Sequence, residues 1–554
     1  MRNFFSRKLS VAGLCVFVCL FLACFILPVF YPSDVSHTDS TRMNLPPGLN
    51  YLAIPKALSG NLETLSFGPT FGAGLDTQGN LYPWGTLTGK LSAAPPNGMG
   101  PLKLVSCGLD HIAAVSRDNR VYAWGNDRLG ITDIPETVQG RNIVDLQAGY
   151  QVTLVLDDTG TLHFWGNDRN FSLSLRGHER SVAAFALNIS TVIALTHDGG
   201  VVCLTAKDMP FSRVPEAAQG RAVAVASTDS VAAAVLDDGT VLTWGLSDAE
   251  AIHVPEEIQG RVVSLKGGRA HFTALLDDGS VLAWGENDYT QANAPALTGT
   301  AAIYAGYYQN AAVHENGQIA AWGQRGCLMG TDQWGRDVFV RLLQGGRITL
   351  TVGFISVLIS GLIGVLIGGL AGYLGGRTDM LLMRLGEIVS SLPFIPLAVL
   401  LAAIVSNQVS ETMRVVMIMA ILGFLGWPDI ARLTRAQVLS EKKNEFITAA
   451  KAMGAREGTI LFRHILPNVS AVVLVSLTLS MATCLLLEAS LSFLGFGILE
   501  PTPTWGNMLN KCVDSGVIQN YWWRWVFPSL ALSLCTISIN IAGDGFRGAI
   551  DPKS

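Results

Sequence analysis

Residues 273–285 read TALLDDGSVLAWG: a short apolar strand, an Asp-Gly turn, a second strand and a Trp-Gly pair. A turn dipeptide of this kind between two apolar runs specifies a β-hairpin. The pattern returns as AAAVLDDGTVLTWG (232–245) and AAVHENGQIAAWG (311–323). Trp-Gly itself stands at 84–85, 124–125, 165–166, 244–245, 284–285 and 322–323, a period of about 40 residues with one double-length gap. Within that gap HDGGVVCLTAKD (197–208) aligns with DDGTVLTWGLSD (237–248), so Leu204 and Thr205 occupy the Trp-Gly positions and the copies number seven. The connectors repeat as well: IPETVQGRNIVDLQAG from Ile134, VPEAAQGRAVAVAS from Val214, VPEEIQGRVVSLKGG from Val254 and a faded IPKALSGNLETLSFG from Ile54. A four-stranded sheet of this size cannot bury both faces alone, whereas seven set radially cover one another. The expectation is an all-β seven-bladed propeller over 50–325, its tryptophans and the repeat-position residues His111 and His271 serving as packing.

Outward from the repeat the solvent changes. The 554-residue chain is long enough for several folding units. Charged residues make up 15% of it and hydrophobic ones 49%, against about 25% charged in an ordinary soluble protein. The net charge of −5 and the lack of a Lys/Arg-rich tract argue against a nucleic-acid partner. Nine cysteines show no disulfide framework and no metal-ligand spacing, so neither metal nor cofactor is implied. No charge lies between Lys8 and Asp34, a run long enough to cross a bilayer; a cleaved signal peptide is the rival reading, but the run is long and lacks an A-x-A site. Further charge-free runs occupy 348–374, 388–410, 415–428, 465–487 and 525–543. The fold class is therefore multi-domain: a helical polytopic membrane domain of six spans, with the propeller inserted after the first. The expected boundaries are a first span over 1–33, a linker over 34–49, the propeller over 50–325, an amphipathic connector over 326–347 and a membrane domain over 348–554. A cytoplasmic N-terminus puts Arg377 and Arg384, the basic segment 432–464 and the tail with Arg547 and Lys553 on the cytoplasmic side, as the positive-inside rule asks, and the propeller on the other. Arg336, Arg341 and Arg347 run against this scheme.

Several long motifs follow in order: GTDQWGRD from Gly330, RHILPN at 463–468, EASLSFLGFG at 488–497, PTPTWGNML at 501–509 and GDGFRGAIDP at 543–552. With them, residues 330–552 resemble the second permease subunit of the ABC importers of the dipeptide, oligopeptide and nickel class. The propeller units resemble the repeats of the regulator of chromosome condensation family. The first resemblance implies an inner-membrane permease, not itself an enzyme, importing small peptides or related solutes. It also implies a homologous partner permease, two ATPase subunits and an extracytoplasmic solute-binding protein. The nearest approach to a P-loop, Gly85–Leu91, is a residue short and lacks the hydroxyl that would hold Mg²⁺, so ATP hydrolysis falls to separate subunits.

NEFITAAKAMGA (444–455) suits a rigid lever: Phe446, Ala450 and Met453 fall at helical spacing on one face, Ala449 and Ala452 keep the backbone slim, and Gly454 permits a sharp stop. Pro467 is expected to bar this helix from running into the next span. The segment resembles the loop by which ABC permeases engage their ATPases, with Ala449, Ala450, Gly454, Leu466 and Pro467 matching; Thr448 stands where that motif has glutamate, and Glu445 one turn earlier is the available substitute. Glu488, ending the fifth span, reads either as a gate in the translocation pathway or as a cap on the Gly-rich loop after it. Residues 490–524, with Trp522, Trp523 and Trp525, read as a re-entrant or interfacial scoop held by an aromatic belt. The alternative for the whole chain is an extracytoplasmic scaffold anchored by a transport-inactive permease.

Overall fold

The computed structural model describes residues 7–30, 38–87, 89–92, 94–167, 181–189, 191–205, 209–406 and 409–550. The chain divides into two compact units, Pro47–Leu328 and the remainder, 1–46 with 329–554.

Pro47–Leu328 holds seven three-stranded antiparallel sheets in strict chain order. The first is Leu62–Phe67, Phe71–Asp76 and Leu81–Gly85; the last is Thr300–Ala305, Gln309–His314 and Ile319–Gly323. Middle strands such as Val231–Leu236, VAAAVL, are buried along their whole length, which is why they read as unbroken small apolar runs and not as alternating ones. The degraded copy folds as its neighbours do, over Val182–Leu187, Val192–Thr196 and Val201–Leu204, with Leu204 buried in the tryptophan's place. In four of the copies the indole N–H donates to a carbonyl of the preceding connector: Trp84 to Tyr51 at 3.0 Å, Trp165 to Ile131 at 2.9 Å, Trp284 to Ala251 at 3.2 Å and Trp322 to Gln291 at 3.0 Å. First and last sheets share one apolar cluster, in which Leu65, Phe67 and Trp84 meet Ala311, Tyr304 and Ile319. Gly60 N–H also donates to Gly317 O at 2.8 Å, and Gln309 Nε2 to Pro69 O at 2.9 Å.

Among the described residues each of these sheets has three strands, without the fourth expected of each unit. In four connectors the chain makes a 3₁₀ turn behind a proline, after Pro55, Pro135, Pro215 and Pro255, and at three sheets a glutamine side chain brackets the edge. Gln139 Oε1 accepts from Val121 N at 3.0 Å and its Nε2 donates to Val121 O at 2.9 Å. Gln219 does the same to Val201 and Gln259 to Val241. One amide thus satisfies the donor and acceptor that a fourth strand would have paired.

In the other unit the helices, numbered in chain order, are α1 (Lys8–Phe30), α2 (Val338–Leu374), α3 (Gly376–Ser391), α4 (Phe394–Ser406), α5 (Glu411–Glu441), α6 (Glu445–Ala452), α7 (Glu457–Phe493), α8 (Trp505–Asn510), α9 (Ser515–Asn520) and α10 (Trp523–Ile550). Five of these are long and apolar enough to cross a membrane, or six spans result if the bent pair α3–α4 counts as one. That pair replaces the straight third span expected over 388–410. Its halves meet at 84° because Pro393 holds Leu392 in an extended conformation and removes a helical donor. α2 starts at Val338, ahead of the 348 expected, because the Asp337 carboxylate accepts from Phe339 N at 2.8 Å and caps it there. α2 and α5 pack backbone to backbone: a Cβ on Gly364 would lie 2.7 Å from Ile430, and one on Gly368 would lie 2.3 Å from Ala431 O. Trp523, expected in an aromatic belt, is buried, its Nε1 donating to Thr331 O at 3.0 Å; Trp522 is exposed.

Candidate functional site

The segment expected to act as a lever is α6, a two-turn helix between α5 and α7. Ile447 (1% exposed) and Ala450 (5%) form its buried stripe, packed on Ile460, Leu461 and Ile465 and on Val438 of α5. Phe446 (43% exposed), Ala449 and Met453 (81%) form the opposite stripe, open to solvent. The face expected from Phe446, Ala450 and Met453 is therefore split. Positions i, i+3 and i+7 give Phe446, Ala449 and Met453, whereas Ala450 falls with Ile447 on the core side. Gly454 ends the helix at φ +81°, with nothing within 4 Å of where a Cβ would stand. Glu445 and Thr448 are both exposed, and neither side chain has a hydrogen-bond partner among the described residues.

Pro467 does not divide the lever from the next span. The chain turns at 453–456, then runs unbroken from Glu457 to Phe493 through a π-helical turn, Ile460–Ile465, with Pro467 directly behind it. The wider turn re-routes the carbonyls where proline lacks its N–H, so the helix continues. Leu466 is half-buried against the lever's core and Pro467 is exposed.

A clasp that no sequence pattern announced fixes the base of the lever. The Tyr373 hydroxyl at the end of α2 donates to Glu457; Lys442 donates to the Tyr373 carbonyl; and the ammonium groups of Lys442 and Lys451 lie 5.3 Å and 5.5 Å from the centre of the Tyr373 ring. Beside it, Arg435 of α5 makes a two-pronged pair with Asp379 of α3, Nη2 to Oδ2 being 2.6 Å. The base of α6 is thereby held against the ends of α2 and α5, and α5 is held to α3.

Glu488 is fully buried near the other end of α7. Ser492 Oγ donates to its Oε1 at 2.7 Å and accepts from Ile498 N at 3.1 Å, and Thr349 and Thr504 lie alongside. Thr504 in turn caps α8 in a reciprocal box with Asn507. Glu488 thus reaches the Gly-rich loop through Ser492 and touches both α2 and the N-cap of α8.

Long apolar helices packed through glycine, with a short helix held at their ends, define a polytopic helical membrane domain. The comparisons with known proteins give it a family. The profile of the binding-protein-dependent transport system inner membrane component matches residues 364–554, that of the N-terminal membrane domain of oligopeptide transport permease C matches 1–47, and that of the regulator of chromosome condensation repeat matches 103–131 and 262–291. A Brucella suis protein named as a peptide permease is 42% identical over 226 residues, 41% of this chain and 72% of that one. The dipeptide transport system permease protein DppC of Bacillus subtilis is 39% identical over 224 residues, 40% of this chain and 68% of that one. Likeness to solved structures is slight, as with the receptor-kinase ectodomain of Arabidopsis thaliana ACR4 at 17% identity and a TM-score of 0.37, which covers 48% of this chain and 96% of that one. The chain belongs to the family of inner-membrane permease subunits of ABC importers, which are not themselves enzymes. Membership implies ATPase partners and a substrate-binding protein.

Proposed function

We propose that the chain imports small peptides, together with a homologous partner permease, two ATPase subunits and an extracytoplasmic binding protein. The named activity of the relatives supports the substrate class. The split character of α6 supports the coupling role: an exposed Phe446–Ala449–Met453 stripe is free to enter a groove on an ATPase while the Ile447–Ala450 stripe and the Tyr373 clasp pass its displacement to the spans. Glu445, Thr448, Gly454, Leu466 and Pro467 shape that surface. Glu488 serves as an anchor for the loop over the pathway's outer end, its hydrogen bond to Ser492 favouring this over a mobile gate.

The seven sheets are proposed to close into a seven-bladed propeller, supported by the core that first and last sheets share. Span count and the placement of Lys and Arg support termini in the cytoplasm and the propeller outside, where it engages the binding protein or the solute. The test is uptake of labelled dipeptides by cells carrying the chain with Pro47–Leu328 removed. Loss of uptake with normal membrane insertion is expected; undiminished uptake would reduce the propeller to a scaffold, and absence of uptake by the intact chain with its partners would refute peptide import.

A further inference from the structure

Within Pro47–Leu328 the first strands of successive sheets lie beside one another. Cys107 N donates to Ser66 Oγ on the preceding sheet at 2.9 Å, Ala148 N to Ser106 Oγ at 2.8 Å, and Gln147 Nε2 to Phe185 O on the following sheet at 2.8 Å. In the ring proposed above these strands form the inner edge, so a first-strand side chain open to solvent is open to the axial lumen. All seven bulge at the second residue and resume register at the third. Asp145 holds that third position in the third sheet, where the other sheets carry Thr64, Leu104, Ala184, Ala224, Ser264 and Ala302. Lys266 holds the fifth position in the sixth sheet, where the others carry Ser66, Ser106, Gln147, Ala186, Ala226 and Tyr304. Packing between sheets thus calls for no charge at either position. Yet these two residues carry opposite charges, three sheets apart in a ring of seven.

Neither charge is met by an ion pair among the described residues. Asp145 accepts only from neutral donors there, Leu146 N at 2.8 Å and Gln147 Nε2 at 3.3 Å, and burial pushes its carboxyl above the ordinary range, with Lys266 the cation that opposes the push. Lys266 is exposed and has neither a hydrogen bond nor an ion pair among the described residues. The other charges on or next to the first strands are engaged: Lys103 donates to Asn119 and Asn142, Glu63 stands 4.0 Å from Arg117, Arg269 pairs with Asp229 at 3.1 Å, and Asp110 accepts from Asn126 at 2.7 Å. A lone anion would answer Lys266 and leave Asp145, and a lone cation the reverse; a molecule bearing both charges answers both. We propose that the lumen binds a short zwitterionic peptide, its carboxylate at Lys266 and its terminal ammonium at Asp145. An extended dipeptide spans about 7 Å, which suits groups set on different sides of a ring. The inference rests on ring closure and on peptide import as proposed above.

The experiment uses the full chain in lipid nanodiscs, without ATPase or binding protein, and equilibrium dialysis against radiolabelled dialanine. Saturable binding is expected, weakened about tenfold or more by Asp145→Asn and by Lys266→Gln. Blocking the ligand should reproduce each loss: N-acetyl-dialanine and dialanine amide bind the parent about tenfold more weakly than dialanine. Asp145→Asn should no longer distinguish dialanine from its N-acetyl form, nor Lys266→Gln dialanine from its amide. Absence of saturable binding overturns the site, as does dialanine bound undiminished by both variants or free alanine bound as tightly as the dipeptide. Should a variant fail to fold, the parent decides: equal affinity for dialanine and its blocked forms refutes the site. Cellular uptake reads separately. A chain that binds dialanine through these residues and fails to import it keeps the site and loses the import reading; import without such binding does the reverse.

Discussion

At the residue scale, adjacent side chains carry opposite duties. Ile447 faces the core under α6 and Phe446 faces solvent, so truncating each should separate stability from coupling. Ile447→Ala is expected to cost about 2–5 kcal/mol of stability, as other large-to-small core changes do. Phe446→Ala should leave thermal unfolding within about 0.5 kcal/mol of the parent. It should nevertheless weaken ATPase docking by about 2 kcal/mol, roughly thirtyfold, read as ATPase co-purification and solute-stimulated hydrolysis. Met453, still more exposed, should behave like Phe446. His111 and His271 make a different prediction. Both sit buried at the first position of a middle strand, facing Thr153 Oγ1 and Asn310 Oδ1 at 2.8 Å, and burial pushes each imidazole from 6.5 down to about 4. Between those values the unfolded chain binds the protons that the folded one refuses. Stability is therefore full above about pH 6.5 and falls as pH drops, by about 3 kcal/mol for each histidine once below pH 4. Valine fills the same strand position at Val152, Val192 and Val231, so the double change His111→Val and His271→Val should flatten that part of the pH profile of thermal unfolding.

At the scale of elements, the contact between α2 and α5 rests on glycine. Gly368→Leu would drive a side chain into the Ala431 carbonyl, and the expected outcome is loss of monodisperse protein on size exclusion with no loss of membrane targeting. This scale also shows where sequence reasoning reaches and where it stops. The hairpin signature, its period, the worn copy at Leu204 and the apolar runs were legible because each is a local pattern repeated or sustained. The missing fourth strand was not, because Gln139, Gln219 and Gln259 do its hydrogen bonding through side chains, and no periodicity records that. Two prolines were misjudged in opposite directions. Pro393 breaks a span that composition alone reads as continuous, whereas Pro467 breaks nothing, because a π turn precedes it. A short helix around Phe446–Ala450 was legible, but grouping Ala450 on one face with Phe446 and Met453 failed: three small or apolar residues at helical spacing do not reveal which stripe a neighbouring helix will cover. The Tyr373 clasp joins residues up to 84 apart in the chain and has no local signal at all.

At the scale of the whole molecule, the two units pose separate folding problems. Pro47–Leu328 has its own apolar clusters, one of them shared by its first sheet and its last. Expressed alone, this segment should unfold in one cooperative transition by calorimetry; stepwise melting of sheets, as in an open array, would contradict ring closure.

The chain leaves and re-enters the helical unit at nearly one point. Asn44 N–H donates to Asp332 O at 2.9 Å, and Leu45 pairs with Thr331 through N–H to Oγ1 at 2.8 Å and through its carbonyl at 2.9 Å. Within the other unit, Gly48 bonds to Cys327 at 3.0 Å and Tyr51 to Arg325 at 3.1 Å. Both severed ends are thus stitched side by side before the insert begins and after it finishes. Such a doorway is indifferent to what is joined to it: any cargo whose own termini lie a few ångströms apart, a fluorescent barrel or a foreign binding head, is expected to graft there while the helical unit keeps its own fold.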